Sequence, residues 1–121
     1  MTILYGIHNC DTVKKAKAWL DKSKVAYQFH DLRKDGLNEA LLAQFVAKAG
    51  WDSLINKRST TYRSLPEEIK NNLTDEVAKA SVLEQPTLLK RPLLINESEL
   101  HLGFKAPQYQ AIFSHEEAIN E

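Results

Sequence analysis

Residues 5–20 read YGIHNCDTVKKAKAWL, and the period of the chain changes inside them. The apolar, β-prone run TILYGI (2–7) stops at the polar set His8, Asn9, Cys10 and Asp11, as a buried strand does at its end. From Asp11 or Thr12 the apolar residues recur at helical spacing. Val13, Ala16 and Leu20 share one face, and Lys14, Lys15 and Lys17 lie outside it. Cys10, the only cysteine in 121 residues, therefore stands at a strand-to-helix junction.

Working outward, VAYQFHDL (25–32) alternates as a second strand does, and RKDG (33–36) reads as a turn. LNEALLAQFVAKAG (37–50) is an amphipathic helix with Leu37, Leu41, Leu42, Phe45, Val46 and Ala49 on one face and Gly50 as its C-cap. WDSLINKRSTTYRSL (51–65) begins as a short helical turn and then loses its period in a polar loop. Pro66 with Glu67 and Glu68 opens a short helix, since proline suits a first turn and acidic groups favour its positive end. Thr74 is placed to N-cap a helix running to about Leu83, with Asp75 and Glu76 in the first turn. A short helical turn or loop from Pro86 leads to the strands PLLIN (92–96) and LHLGF (100–104), joined by ESE (97–99). A tail helix from Pro107 carries Ala111, Ile112, Phe113 and Ala118.

This order is a βαβ unit, a helical stretch and a ββα unit. It predicts an α/β fold of thioredoxin type: a four-stranded mixed sheet with a helical insertion, about residues 37–83, between strands 2 and 3. Without an internal repeat or linker, residues 1–121 read as one domain.

Hydrophobic residues form 43% of the chain and charged residues 26%, enough to build a core. The balance of 16 basic and 16 acidic residues argues against nucleic-acid binding, which draws on surplus positive charge. No stretch approaches the roughly 20 apolar residues that span a bilayer. MTILYGIHNC lacks the basic start and long apolar segment of a signal peptide, and one cysteine closes no disulfide within the chain. The expectation is a cytoplasmic protein held together by its core.

A thiol reacts as thiolate, and an unperturbed cysteine, with a pKa of about 8.5, is mostly protonated at neutral pH. At the start of a helix, unpaired N–H groups and the positive end of the macrodipole favour the ionised form. Lys14, one turn on, adds positive charge, and His8 is placed to donate a hydrogen bond or shuttle a proton. The expectation for Cys10 is an activated nucleophile. The competing reading is a small buried hydrophobe closing the strand; the polar neighbours Asn9, Asp11 and Thr12 count against it. A metal pair of His8 and Cys10 is not expected, because no second cysteine is present and His30, His101 and His115 are scattered singly.

LYGIHNCDTVKKAKAWL (4–20), DGL (35–37), GWDSLINKRSTTYRSL (50–65) and LLKRPLLI (88–95) together resemble the arsenate reductase (ArsC)-like family. The likeness is strongest to its YffB branch, with the redox regulator Spx a more distant relative. The resemblance implies a thioredoxin-like fold with a helical insertion and a nucleophile at Cys10. Arg91 before Pro92 matches the family's Arg-Pro signature, a bond expected to be cis. Arg58 matches the middle arginine of the YffB and Spx branch; in ArsC proper that arginine falls two positions earlier, where this chain has Asn56. A third arginine of ArsC proper is replaced by Lys105, which lacks the planar fork that grips an oxyanion. The second cysteine of the Spx type is replaced by Val13.

The implied activity is a glutathione-dependent monothiol reductase. Cys10 attacks, an external thiol resolves the mixed disulfide, and no cofactor is bound. Arg91, Arg58, Pro92 and Lys105 would hold the anionic groups, and His8, Asn9 and Lys14 would tune the thiolate. Glutathione, a small thiol or oxyanion substrate and a glutaredoxin are the implied partners of a monomer. Two alternatives stay open: arsenate reduction proper, and a Spx-like regulator that binds a partner without catalysis. Lys57, Arg58 and Arg63 form a local basic cluster that would also serve as a solvated face. Trp19, Trp51 and Tyr62 are read as packing residues.

Overall fold

The computed structural model describes residues 2–120, with side chains described through Phe113. Its elements are β1 (Thr2–Gly6), α1 (Asp11–Lys22), β2 (Gln28–Asp31), α2 (Glu39–Ala49), α3 (Trp51–Leu54), α4 (Thr60–Arg63), α5 (Glu67–Lys70), α6 (Asp75–Glu84), a 3₁₀ turn (Pro86–Leu88), β3 (Leu93–Asn96), β4 (Glu99–Leu102) and α7 (Ala106–Asn120). The sheet order is β2-β1-β3-β4. β1 runs parallel to β2 and antiparallel to β3, and β3 is antiparallel to β4. This is the mixed, four-stranded thioredoxin-type sheet that the element order predicts, with α2–α6 inserted between β2 and β3.

Successive strand residues point to opposite faces, and this alternation divides the core in two. Leu4 and Leu94 face a cluster with Ala16 and Leu20 of α1 and Tyr109 and Phe113 of α7. Their neighbours Tyr5 and Leu93 face the insertion, packing with Leu42, Phe45, Leu54, Ile55, Val82, Leu88 and Leu89. Lys14, Lys15 and Lys17 of α1 point outward and leave Val13, Ala16 and Leu20 as its buried stripe, as the spacing predicts. Trp19 meets Tyr109 and Phe113 at 5.6 and 5.8 Å between ring centroids. Trp51 and Tyr62 pack, half-buried, on the insertion's core. All three are packing residues.

Several boundaries differ from the sequence reading. β2 begins at Gln28 rather than Val25; Val25 and Tyr27 pack against the α1–α7 cluster without joining the ladder. α2 starts after Asn38, whose side chain accepts the Leu41 N–H at 2.8 Å, so Leu37 stands before the helix. The hairpin turn is the pair Glu97–Ser98, both at positive φ (50° and 76°), and Glu99 already belongs to β4. The polar stretch after Trp51 is not wholly loop. Ser59 accepts the Tyr62 N–H at 3.0 Å and caps α4, a helix too short to leave a periodic signature. Among the described side chains of α7 the buried ones are Tyr109 and Phe113, one turn apart, while Ala111 is exposed; the side chain of Ala118 lies outside the described residues.

Among the described residues no helix is long and apolar enough to cross a membrane.

Candidate functional site

Strand register gathers the site. Gly6, the last residue of β1, pairs with Asp31, the last of β2. Tyr5 pairs with Leu93, the first residue of β3, and Leu93 with Leu102, the last of β4. The segments 7–10, 91–92 and 103–105 therefore leave the sheet at one end. A Cβ built on Gly6 would stand 2.6 Å from Val13 Cγ2, so glycine is what lets β1 pass this close to α1 just before the cysteine.

Ile7 to Cys10 form a β-turn closed by the Cys10 N–H donating to the Ile7 carbonyl at 3.1 Å. Cys10 is the N-cap residue of α1, extended at φ −93° and ψ 125°, and its carbonyl accepts the Lys14 N–H at 3.0 Å. It is partly exposed, not sealed under aliphatic side chains. The expected contact between sulfur and the helix N–H groups is absent: Sγ makes no capping hydrogen bond. Sulfur is a weaker acceptor than the oxygens that usually cap helices. Lys14 and Asn9 are exposed beside the turn.

His8 does not stand free. Its Nδ1 lies 3.0 Å from Asp31 Oδ2, and its backbone N–H donates to the same oxygen at 3.2 Å. The Asp31 carboxylate, 3% exposed, also accepts the N–H groups of Arg33 (2.9 Å) and Lys34 (3.0 Å) through Oδ1. Burial pushes this carboxyl up, but the bonds from Lys34, Arg33 and His8 outweigh burial and bring it down to about 2. An ionised carboxylate only accepts, so the Nδ1 that faces it carries a hydrogen. Asp31 thus staples the turn beside Cys10 to β2. The sequence reading missed it; its one signal was an aspartate opening the turn DLRKDG (31–36), where a side chain accepts N–H groups two and three residues on.

The insertion supplies the far wall. Ile55 bridges Leu89, the Asn56 N–H donates to the Leu88 carbonyl and the Lys90 N–H to the Leu54 carbonyl, both at 2.8 Å. This strand-like pairing brings the 56–58 turn beside Arg91. Asn56 Oδ1 accepts the Arg58 N–H at 3.1 Å and so shapes the turn that carries Arg58. The Arg91–Pro92 bond is cis, with Pro92 buried.

Between these walls lies a cavity of about 590 Å³, lined by Asn56, Arg58, Lys90, Arg91, Leu102, Gly103, Phe104, Lys105 and Gln108. Arg58, Arg91 and Lys105, singled out in the sequence, come together here, and Lys90 joins them unforeseen. Cys10, His8, Asn9, Lys14 and Pro92 are not part of this lining. Arg91 Nε is buried without a hydrogen-bond partner among the described residues. Four cations and no acidic side chain line this cavity, a setting whose positive potential favours an anion.

The solved structure of the YffB (PA3664) protein is 41% identical, covers 92% of this chain and 97% of its own, and superposes with a TM-score of 0.85. An arsenate reductase (ArsC) related protein from Brucella melitensis is 42% identical, with 93% of each chain covered and a TM-score of 0.78. More distantly, the global transcriptional regulator Spx of Streptococcus agalactiae is 28% identical over 117 residues, 92% of this chain and 82% of Spx. The sequence profile of the ArsC family matches residues 5–112, which takes in the Cys10 turn, the insertion and the cation-lined cavity together, and the chain belongs to that family.

Proposed function

We propose that this protein is a monothiol reductase that uses glutathione. The Cys10 thiolate attacks a disulfide, a mixed disulfide forms on Cys10, and glutathione attacks that bond to release the cysteine. With Val13 where a second cysteine would stand, resolution comes from outside the chain. The two carboxylates of glutathione suit the Arg91 and Arg58 guanidinium groups, which grip carboxylates bidentately. His8, Asn9 and Lys14, from the Cys10 turn and the first turn of α1, would tune the thiolate. The observation that carries this reading is the convergence at one sheet end of a partly exposed lone cysteine and a cavity lined by cations.

Mass spectrometry after incubation with oxidised glutathione tests it. The expected product carries one glutathione on Cys10, is absent from Cys10→Ser and forms at least tenfold more slowly in Arg91→Ala, the loss of about 1.4 kcal/mol that one charge-assisted contact supplies. No adduct on the wild-type chain would overturn the proposal. Likeness to Spx favours a second reading, a binding module without turnover. Under that reading a Cys10→Ser chain would still retain a stoichiometric partner, and disulfide turnover with glutathione would be nil. Arsenate turnover is expected to be weak, since Asn56 and Lys105 stand where ArsC proper has arginines.

A further inference from the structure

Building on the thiol-exchange reading, we propose that the disulfide Cys10 acts on carries phosphate groups, and that Arg58, Lys90, Arg91 and Lys105 recognise them. The chain as a whole balances 16 basic against 16 acidic residues, yet this one cavity collects four cations and no acid. Among the described residues none of the four is in an ion pair: Glu67 pairs with Lys70, and Asp31 and Glu99 face the His8 and His101 rings. Cations gathered this way repel one another until an anion enters, and Arg91 Nε is a buried donor still lacking an acceptor.

Glutathione does not satisfy the whole cavity. Its two carboxylates answer two of the cations, and its ammonium finds no carboxylate in the lining. A phosphate monoester carries about 1.5 to 2 negative charges near pH 7 and three acceptor oxygens. Two phosphate groups match four cations in charge, with the arginine forks taking oxygens in pairs and the lysines acting as point charges. Leu102 and Phe104 give the same cavity an apolar wall for the remainder of the molecule.

The chemistry balances with glutathione as reductant. Cys10 thiolate displaces one half of the disulfide as a thiolate, which takes a proton from water, and keeps the phosphorylated half in S–S linkage. One glutathione thiolate breaks that linkage, frees the phosphorylated thiol and is left bonded to Cys10. A second glutathione regenerates Cys10 thiolate and leaves as oxidised glutathione. Two thiols are oxidised for one disulfide reduced.

The test compares Cys10 adduct formation from three disulfides at equal concentration: coenzyme A disulfide, oxidised glutathione and cystamine, which bears no anion. The coenzyme A disulfide is expected to react about tenfold or more faster than oxidised glutathione at low salt, with the advantage shrinking as salt rises. In Lys90→Gln the ratio of coenzyme A to cystamine rates should fall several-fold. Equal rates from coenzyme A disulfide and oxidised glutathione, or an unchanged ratio in Lys90→Gln, would overturn the proposal and leave the reductase reading standing. Failure of all three to label Cys10 would instead sink the reductase reading. The cavity is then judged by calorimetry of pyrophosphate on Cys10→Ser: saturable binding weakened by Lys90→Gln upholds phosphate recognition, and no binding refutes it.

Discussion

A carboxyl buried at a strand end stays ionised only where hydrogen bonds outweigh its desolvation, and Asp31 has them from His8, Arg33 and Lys34. Its carboxyl titrates near 2 in the fold against 3.8 when unperturbed. A depressed acid contributes stability that is complete above the unfolded value and vanishes as pH falls through the folded one. The window is therefore about pH 4 down to about 2, and the amount is of the order of 2 kcal/mol. Asp31→Asn should be less stable than wild type by about that much at pH 7, and its urea midpoint should fall less between pH 4 and 2. Tyr109 works in the opposite sense. It is fully buried, its hydroxyl has no partner among the described residues, and burial pushes its phenol well above 10. The unfolded chain ionises first, so stability should drop as pH rises past 10. Tyr109→Phe should make that drop smaller, with Tyr5 and Tyr27 still contributing, and, by deleting an unsatisfied hydroxyl, should leave the neutral-pH melting point unchanged or raised.

Elements whose signal is local are readable in the sequence. The polar break after Ile7, Gly50 at φ 79° ending α2, and Thr74 accepting the Val77 N–H at the start of α6 each depend on a few consecutive residues. α4 was hidden because a four-residue helix carries no period, and the 54–56 to 88–90 pairing because it joins segments more than thirty residues apart in two short stretches. The same limit applies to the site. Arg58, Arg91 and Lys105 stand out through a family likeness, whereas Lys90 joins them only because the insertion folds back beside β3. Two element-scale tests follow from local geometry. Gly6→Ala should destabilise by about 1–3 kcal/mol in urea melts, since the new methyl would meet Val13, which is itself fully buried. Asn38→Ala should cost about 1 kcal/mol through loss of the α2 cap.

At the scale of the molecule, the sheet is both the platform for the site and a partition. The helices that follow β1 and β4 lie on one side, and the inserted helices on the other. The thiol-bearing turn leaves from the centre of this platform, while Arg58 reaches it from the insertion. Phe45 belongs to one apolar cluster and Phe113 to the other, with no buried residue in common. Phe45→Leu and Phe113→Leu should each cost about 1 kcal/mol, and the double variant should equal their sum to within about 0.5 kcal/mol. Such independence gives the fold a modular economy of change. The insertion can be recut for a new substrate or partner, one apolar side chain at a time, while the packing beneath the cysteine's helix stays as it was.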